Sequence, residues 1–194
     1  MISRRLLLTG SAASGLVALP GQVLPRRARA EAILTEDGIY RQPWFLESLL
    51  ELADDLAASS EKKKRLAIMW ELRGCPYCKE THLVNFAKPE ISAFIQQHFE
   101  VLQLNLIGSR EVVDFDGEKL SEKRLAQKYD VRYTPTFQFF PDGAASLAER
   151  KPREREVARA QGYMQPPQFL AMFRYVTERA YEKGSLPEYL KANS

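Results

Sequence analysis

Residues 65–78 read RLAIMWELRGCPYC, and the fold follows from how this stretch is parsed. Leu66 to Trp70 is a short, unbroken apolar run of the kind a strand shows when both its faces are covered. Gly74 ends the run. Cys75-Pro76-Tyr77-Cys78 then opens a helix that reaches about Ala87, with Pro76 suited to the first helical position. Strand, tight turn and helix follow one another within 14 residues, with a cysteine at the helix N-terminus.

That placement has a chemical consequence. A thiolate, not a thiol, attacks disulfides, so a reactive cysteine needs something to stabilise negative charge. Unpaired backbone N–H groups and the positive end of the helix dipole do this at Cys75, and Lys79 is positioned to add a positive charge. Cys75 is the predicted nucleophile. Cys78, three residues on, is placed to attack the resulting mixed disulfide and release the substrate. Pro76 stiffens the turn and Tyr77 tunes access. Competing readings of the pair meet obstacles. A zinc site needs two more ligands, and His82 and His98 lack the paired spacing of structural zinc motifs. Haem attachment needs His after the second cysteine, where Lys79 stands. A structural bridge closing so small a loop would add little stability. His82 reads as a helix-surface histidine rather than a proton shuttle.

Working outward, Pro43 to about Ala58 carries Leu46, Leu49, Leu50, Ala53 and Leu56 at helical spacing. Lys62 to Arg65 is a solvated turn. After the CPYC helix, Pro89 bends or restarts a helix through Gln97, and Val101 to Ile107 alternates as a strand does. Gly108 to Leu120 is a polar insertion with Asp116-Gly117 as a hairpin turn. It resembles a calcium loop only superficially: Asp114 and Asp116 fit the first ligand positions, but Lys119 stands where glycine is needed and Leu125 where glutamate is. Ser121 to Tyr129 is a short capped helix. Thr136 to Phe140 is a strand ended by Pro141-Asp142-Gly143, with Glu154 to Gln161 as its hairpin partner. The charged run Arg150 to Arg155 reads as a solvated connection, and Pro166 to Lys183 as a long helix closed by Gly184. This order predicts an α/β fold, a central mixed sheet with helices on both faces.

Composition is that of a globular chain: 194 residues, 45% hydrophobic and 27% charged. The formal charge of +3 comes from 28 basic against 25 acidic side chains. Five of the basic ones (Arg4, Arg5, Arg26, Arg27 and Arg29) lie within residues 1–30, which contain no acid. The surplus is therefore a property of the N-terminus, and the remainder is slightly acidic, with no electrostatic case for nucleic acid. An arginine pair, a modest apolar stretch from Leu6 to Leu19 and Ala28-Arg29-Ala30 read as a twin-arginine-like export signal cleaved after Ala30. Residues 31–194 would then form one domain in the periplasm. The apolar stretch falls short of the roughly 18–20 residues that span a bilayer.

Thr134-Pro135-Thr136 opens the strand that starts at Thr136. Proline there would break a central ladder, so it belongs at the strand's first residue or in a special turn, and a cis Thr134–Pro135 bond is expected. Together with the upstream CxxC and the order of elements, this resembles the thioredoxin superfamily. The resemblance implies a thioredoxin fold in which a cis-proline loop faces the redox pair, with Thr134 and Pro135 holding a substrate's backbone. GCPYCKETHLVNF, FEVLQLNLIGSREVVDFDGEKLSEKRLAQKYDVRYTPTFQFFPDG and GYMQPPQFLAMFRYV look most like SoxW-type periplasmic thioredoxins of sulfur-oxidation systems. That likeness implies a disulfide reductase, without metal or cofactor, acting on disulfide-bearing periplasmic proteins and recharged by a membrane electron donor of the DsbD or CcdA type. Two departures stand out. Gly74 and the Pro-Tyr dipeptide replace the thioredoxin Trp and Gly-Pro. Met69 replaces the buried acid, leaving Glu71 as candidate proton acceptor for Cys78, with an edge-of-core salt bridge as the alternative. The dipeptide permits potentials from about −270 mV (thioredoxin) to about −120 mV (DsbA), so a DsbA-like oxidant and a non-catalytic adaptor remain the rival readings.

Overall fold

In the computed structural model, which describes residues 31–143 and 147–193, the apolar run is the central strand β3 (Arg65–Glu71), buried along its whole length. Its covering follows from the two-residue period of a strand. Ala67 and Met69 join one hydrophobic cluster, and Leu66, Ile68 and Trp70 join the other on the opposite face. β4 (Phe99–Asn105) pairs with β3 in parallel, while β7 (Thr136–Phe139) pairs antiparallel on its other side and carries β8 (Ala158–Gln161) at the edge. The sheet order is β4-β3-β7-β8, so the expected mixed α/β sheet with helices on both faces is present.

The helices divide between the faces. On one, α3 (Pro89–His98) and α5 (Pro166–Thr177) meet the sheet through Ile91, Ile95, Phe169 and Phe173, with Phe99, Phe137 and Phe139 below. Phe173 makes edge-on contacts to Phe99, Phe137, Phe139 and Phe169 at centroid distances of 4.9–5.8 Å, each worth about 0.5–1.5 kcal/mol beyond area burial. On the other, α1 (Leu52–Glu61) and α4 (Glu122–Lys128) bury Leu52, Leu56 and Leu125 against Leu66, Ile68 and Leu104. The hairpin β5 (Glu111–Val113) and β6 (Lys119–Ser121) turns at Asp116-Gly117 as expected, with Gly117 at φ 81°. Ser121 caps α4 by accepting from the Arg124 N–H.

Four expectations need correction. The helix read from Pro43 begins only at Leu52: Leu50 takes φ 65°, and Leu49 is 92% exposed. Residues 43–50 instead run as a strap, because Trp44 and Phe45 gain more by packing edge-on against Phe86 and the Leu46 N–H by donating to the Val101 carbonyl at 2.9 Å. Upstream, β1 (Ile33–Leu34) and β2 (Tyr40–Arg41) form a small hairpin with no expected counterpart. The C-terminal helix stops at Thr177, Arg179 takes φ 53°, and a further helix α6 (Leu186–Asn193) packs Tyr189 onto Tyr175. The predicted signal, residues 1–30, lies outside the described residues, among which no helix is long and apolar enough to cross a membrane.

The fourth correction concerns the run Arg150 to Arg155, which is not wholly solvated. Arg155 is 2% exposed. Its guanidinium reaches Asp114 and Asp116 at 2.8 Å, the Tyr129 hydroxyl at 3.0 Å and two backbone carbonyls. Lys128 binds the same two aspartates, so the residues that mimic a calcium loop are neutralised by the chain's own cations. Burial alone would raise Asp116, but hydrogen bonds from Arg155 and Lys128 outweigh it and hold its carboxyl well below the usual range. A carboxyl depressed on folding stabilises the native state above its unfolded value, roughly pH 3.9, and loses that contribution as pH falls through the folded value. We therefore expect chemical unfolding to show a loss of stability on acidification below about pH 4 that is smaller in Asp116→Asn. Arg155→Ala should cost about 3 kcal/mol at neutral pH, because it strands Asp114 in the interior with Lys128 as its remaining cation.

Candidate active site

β3 ends beneath the redox turn. Gly74, at φ 75°, supplies the left-handed residue the turn needs, and the Cys75 N–H donates back to the Leu72 carbonyl at 3.1 Å. Cys75 is the N-cap of α2 (Pro76–Glu80), and Pro76 takes the first helical position. The helix continues without a break into a wider π-type turn, Thr81–Asn85, so the segment runs close to the expected end at Ala87. Cys75 and Cys78 form a disulfide with a Cα–Cα distance of 5.3 Å. The Cys78 N–H donates to Cys75 Sγ at 3.1 Å, aiming the charge-stabilising end of the helix at that sulfur. Cys75 is partly exposed and Cys78 is 4% exposed. The outer sulfur is thus the accessible one.

The second half of the site arrives through the sheet. Trp70 on β3 is paired with Thr136 on β7, so the residues just before β7 lie beside the exit from β3. The Thr134–Pro135 bond is cis, and the Thr134 carbonyl oxygen is 3.6 Å from Cys75 Sγ. Thr136 donates its hydroxyl to the Tyr133 carbonyl at 2.7 Å, closing the loop. Just past β8, the Gly162 N–H donates to the Pro135 carbonyl at 2.8 Å. Tyr163, next in sequence, stacks on Tyr77 at a centroid distance of 6.2 Å and an interplanar angle of 17°. With Tyr77 55% and Tyr133 63% exposed, the sulfurs sit among aromatic rings open to solvent.

Cys75, Cys78, Tyr77, Thr134 and Pro135 therefore come together. Lys79 is on the exposed side of α2. Glu71 is fully buried, paired with His82 Nε2 at 2.8 Å and hydrogen-bonded by the Gln103 amide. That contact lies deep in the interior rather than at the core's edge. The surface reading of His82 is overturned: the residue is 1% exposed, because the face of the helix that carries Cys78 inward carries His82 inward one turn later. Tyr163, Gln42 and Gln103 escaped the sequence reading. Gly162-Tyr163 after a strand was a usable turn signal, whereas the two glutamines sit in segments whose pattern says nothing of a site.

Three solved structures are similar to this chain. A thioredoxin-fold protein from Helicobacter pylori is 23% identical over 68% of this chain and 84% of its own, with a TM-score of 0.54. A thioredoxin from Thermus thermophilus is 23% identical over 65% and 83%, TM-score 0.48, and a DsbH oxidoreductase is 15% identical over 89% and 96%, TM-score 0.42. At such identity the first is a likeness of fold. No curated protein matches the chain. The model of the thioredoxin-like domain matches residues 52–177, from α1 to the end of α5. Spanning the redox turn, the cis-proline loop and all four strands of the central sheet, that match places this chain in the thioredoxin-like domain family.

Proposed function

We propose that the protein is an exported thiol-disulfide oxidoreductase of the SoxW type that reduces disulfides of periplasmic proteins. The observation that carries this reading is the Cys75–Cys78 pair at a helix N-terminus, with the outer sulfur accepting a backbone N–H and facing the carbonyl before cis-Pro135. In the reduced protein, the Cys75 thiolate attacks one sulfur of a substrate disulfide and the other sulfur leaves as a thiolate. Cys78 then attacks Cys75 Sγ, the substrate's second sulfur departs, and the dithiol's two electrons have passed to the substrate. Backbone groups at Thr134 and Pro135 hold the substrate strand, and the Tyr77–Tyr163 pair flanks it. Resetting the pair needs two electrons, which a membrane donor of the DsbD or CcdA type would supply in an oxidising compartment. The signal read in residues 1–30 supports the location.

Catalytic reduction of insulin is expected, and Cys78→Ser should trap covalent complexes with periplasmic proteins that a reductant releases; an empty trap together with no insulin turnover would leave a binding module. In the reduced protein, iodoacetamide should label Cys75 well before the buried Cys78, as mapped by mass spectrometry. Equilibration with glutathione decides direction: a potential near −270 mV fits a reductase, and one near −120 mV would make the protein a DsbA-like oxidant.

A further inference from the structure

The run Lys62 to Arg65 is solvated only in part, and it borders a cavity at the end of the sheet opposite the dithiol. β3 begins there at Arg65 and leaves at Glu71 beneath the redox turn, about 20 Å away at roughly 3.3 Å per residue. The cavity, of about 290 Å³, lies among the C-terminal ends of α1, α3 and α5. Lys63, Lys64, Arg65 and His98 line it, and Asp142 is the one acid among the described residues that do.

Charge there is unevenly matched. Arg65 is 8% exposed. Of its five N–H groups, one on Nη2 reaches the Thr177 carbonyl at 3.4 Å. Nη1 stands 3.0 Å from Asp142 Oδ1 as an ion pair, yet has no hydrogen-bond partner among the described residues. Asp142 also binds Arg179, which lies 3.7 Å from Glu182, and Lys62 and Lys64 share Glu100. Lys63 has no carboxylate partner among the described residues. Five full cations thus face three carboxylates, and the lysine left over lines the cavity.

The backbone adds an independent observation. α1 ends in a Schellman arrangement, in which the Lys64 N–H donates to the Ser59 carbonyl and the Lys63 N–H to the Ser60 carbonyl, both at 2.9 Å, with Lys63 at φ 57°. Glycine fills that left-handed position at the least cost. A cation needed only to offset the negative end of α1 could stand inside the last turn without strain, and α1 has none there.

We propose that this cavity binds a phosphate-class oxyanion, with Lys63 supplying the uncompensated charge beside the fixed cations Lys64 and Arg65. A free phosphate ion and the phosphodiester of an anionic lipid present the same oxygens, and either would leave the redox face unobstructed at the other end of β3. The inference does not depend on the dithiol reading above.

Calorimetric titration of the full chain with sodium phosphate, against sodium chloride at equal ionic strength, tests the site. Saturable binding is expected, weakened roughly tenfold in Lys63→Gly and retained in Lys63→Arg. Flotation with vesicles of phosphatidylglycerol, against phosphatidylcholine, identifies the source: retention by the first alone, lost in Lys63→Gly, marks a lipid headgroup, and no retention marks the free ion. Lys63→Gly should unfold thermally at or above the unmodified protein, since glycine suits the left-handed cap, so lost binding is separable from lost folding. Phosphate heats equal to those of chloride with no vesicle retention, or binding that Lys63→Gly leaves unchanged, would overturn the proposal and leave the cations as counterweights to the carboxylates and the helix ends.

Discussion

The pairing of Trp70 with Thr136 joins two segments more than 60 residues apart, and the site exists only because of it. β3 leads out of the core at Glu71 and into the CPYC turn; β7 runs the opposite way, so its first residues lie where β3 finishes. Antiparallel neighbours therefore bring a chain entry beside a chain exit, and cis-Pro135 meets Cys75 as a result of register. A slip of one residue would exchange the faces of β7, expel Phe137 and Phe139 from the aromatic cluster, and carry Thr134 away from the sulfur. The same hydrophobic burial that selects the register thus sets the redox geometry.

Polar groups are buried in two places, and in both a segment distant in sequence satisfies them. Around Asp114 and Asp116, Arg155 and Lys128 bind the hairpin insertion to α4 and to the connection before β8. Around Glu71, His82 of the redox helix and Gln103 of β4 are the partners, tied in turn to Gln42 and to the Tyr40 carbonyl. Removing either partner in such a network leaves a desolvated group without compensation, so each fixes a connection that apolar contact would leave free to vary. The difference lies in charge. The first network sets carboxylates against Lys and Arg; the second sets one carboxylate against an imidazole and an amide.

Much of the central architecture was legible in the sequence. An unbroken apolar run, a glycine and a cysteine pair beginning with proline state a buried strand, a tight turn and a helix start in local terms. Thr134-Pro135 before a β-branched and aromatic strand is equally local. The strap was not legible, because Leu46, Leu49 and Leu50 have helical spacing and only the docking of Trp44 and Phe45 on Phe86 overrides it. His82 and Arg155 misled for a related reason: polar side chains are read as solvated by default, and their burial depends on partners from remote segments.

By itself the sequence determined the central strand, the tight turn after it and a cysteine pair at a helix start, since periodicity, turn residues and the CPYC spacing act through neighbours a few positions apart. Tertiary structure alone decided what surrounds those atoms. Whether Glu71 is a surface carboxylate or a buried one, which side chains face the two ring nitrogens of His82 and which ring stacks on Tyr77 depend on contacts among the N-terminal segment, β4, the residues after β8 and the redox helix. Those contacts are chosen by the packing of the whole core, and no local pattern encodes them.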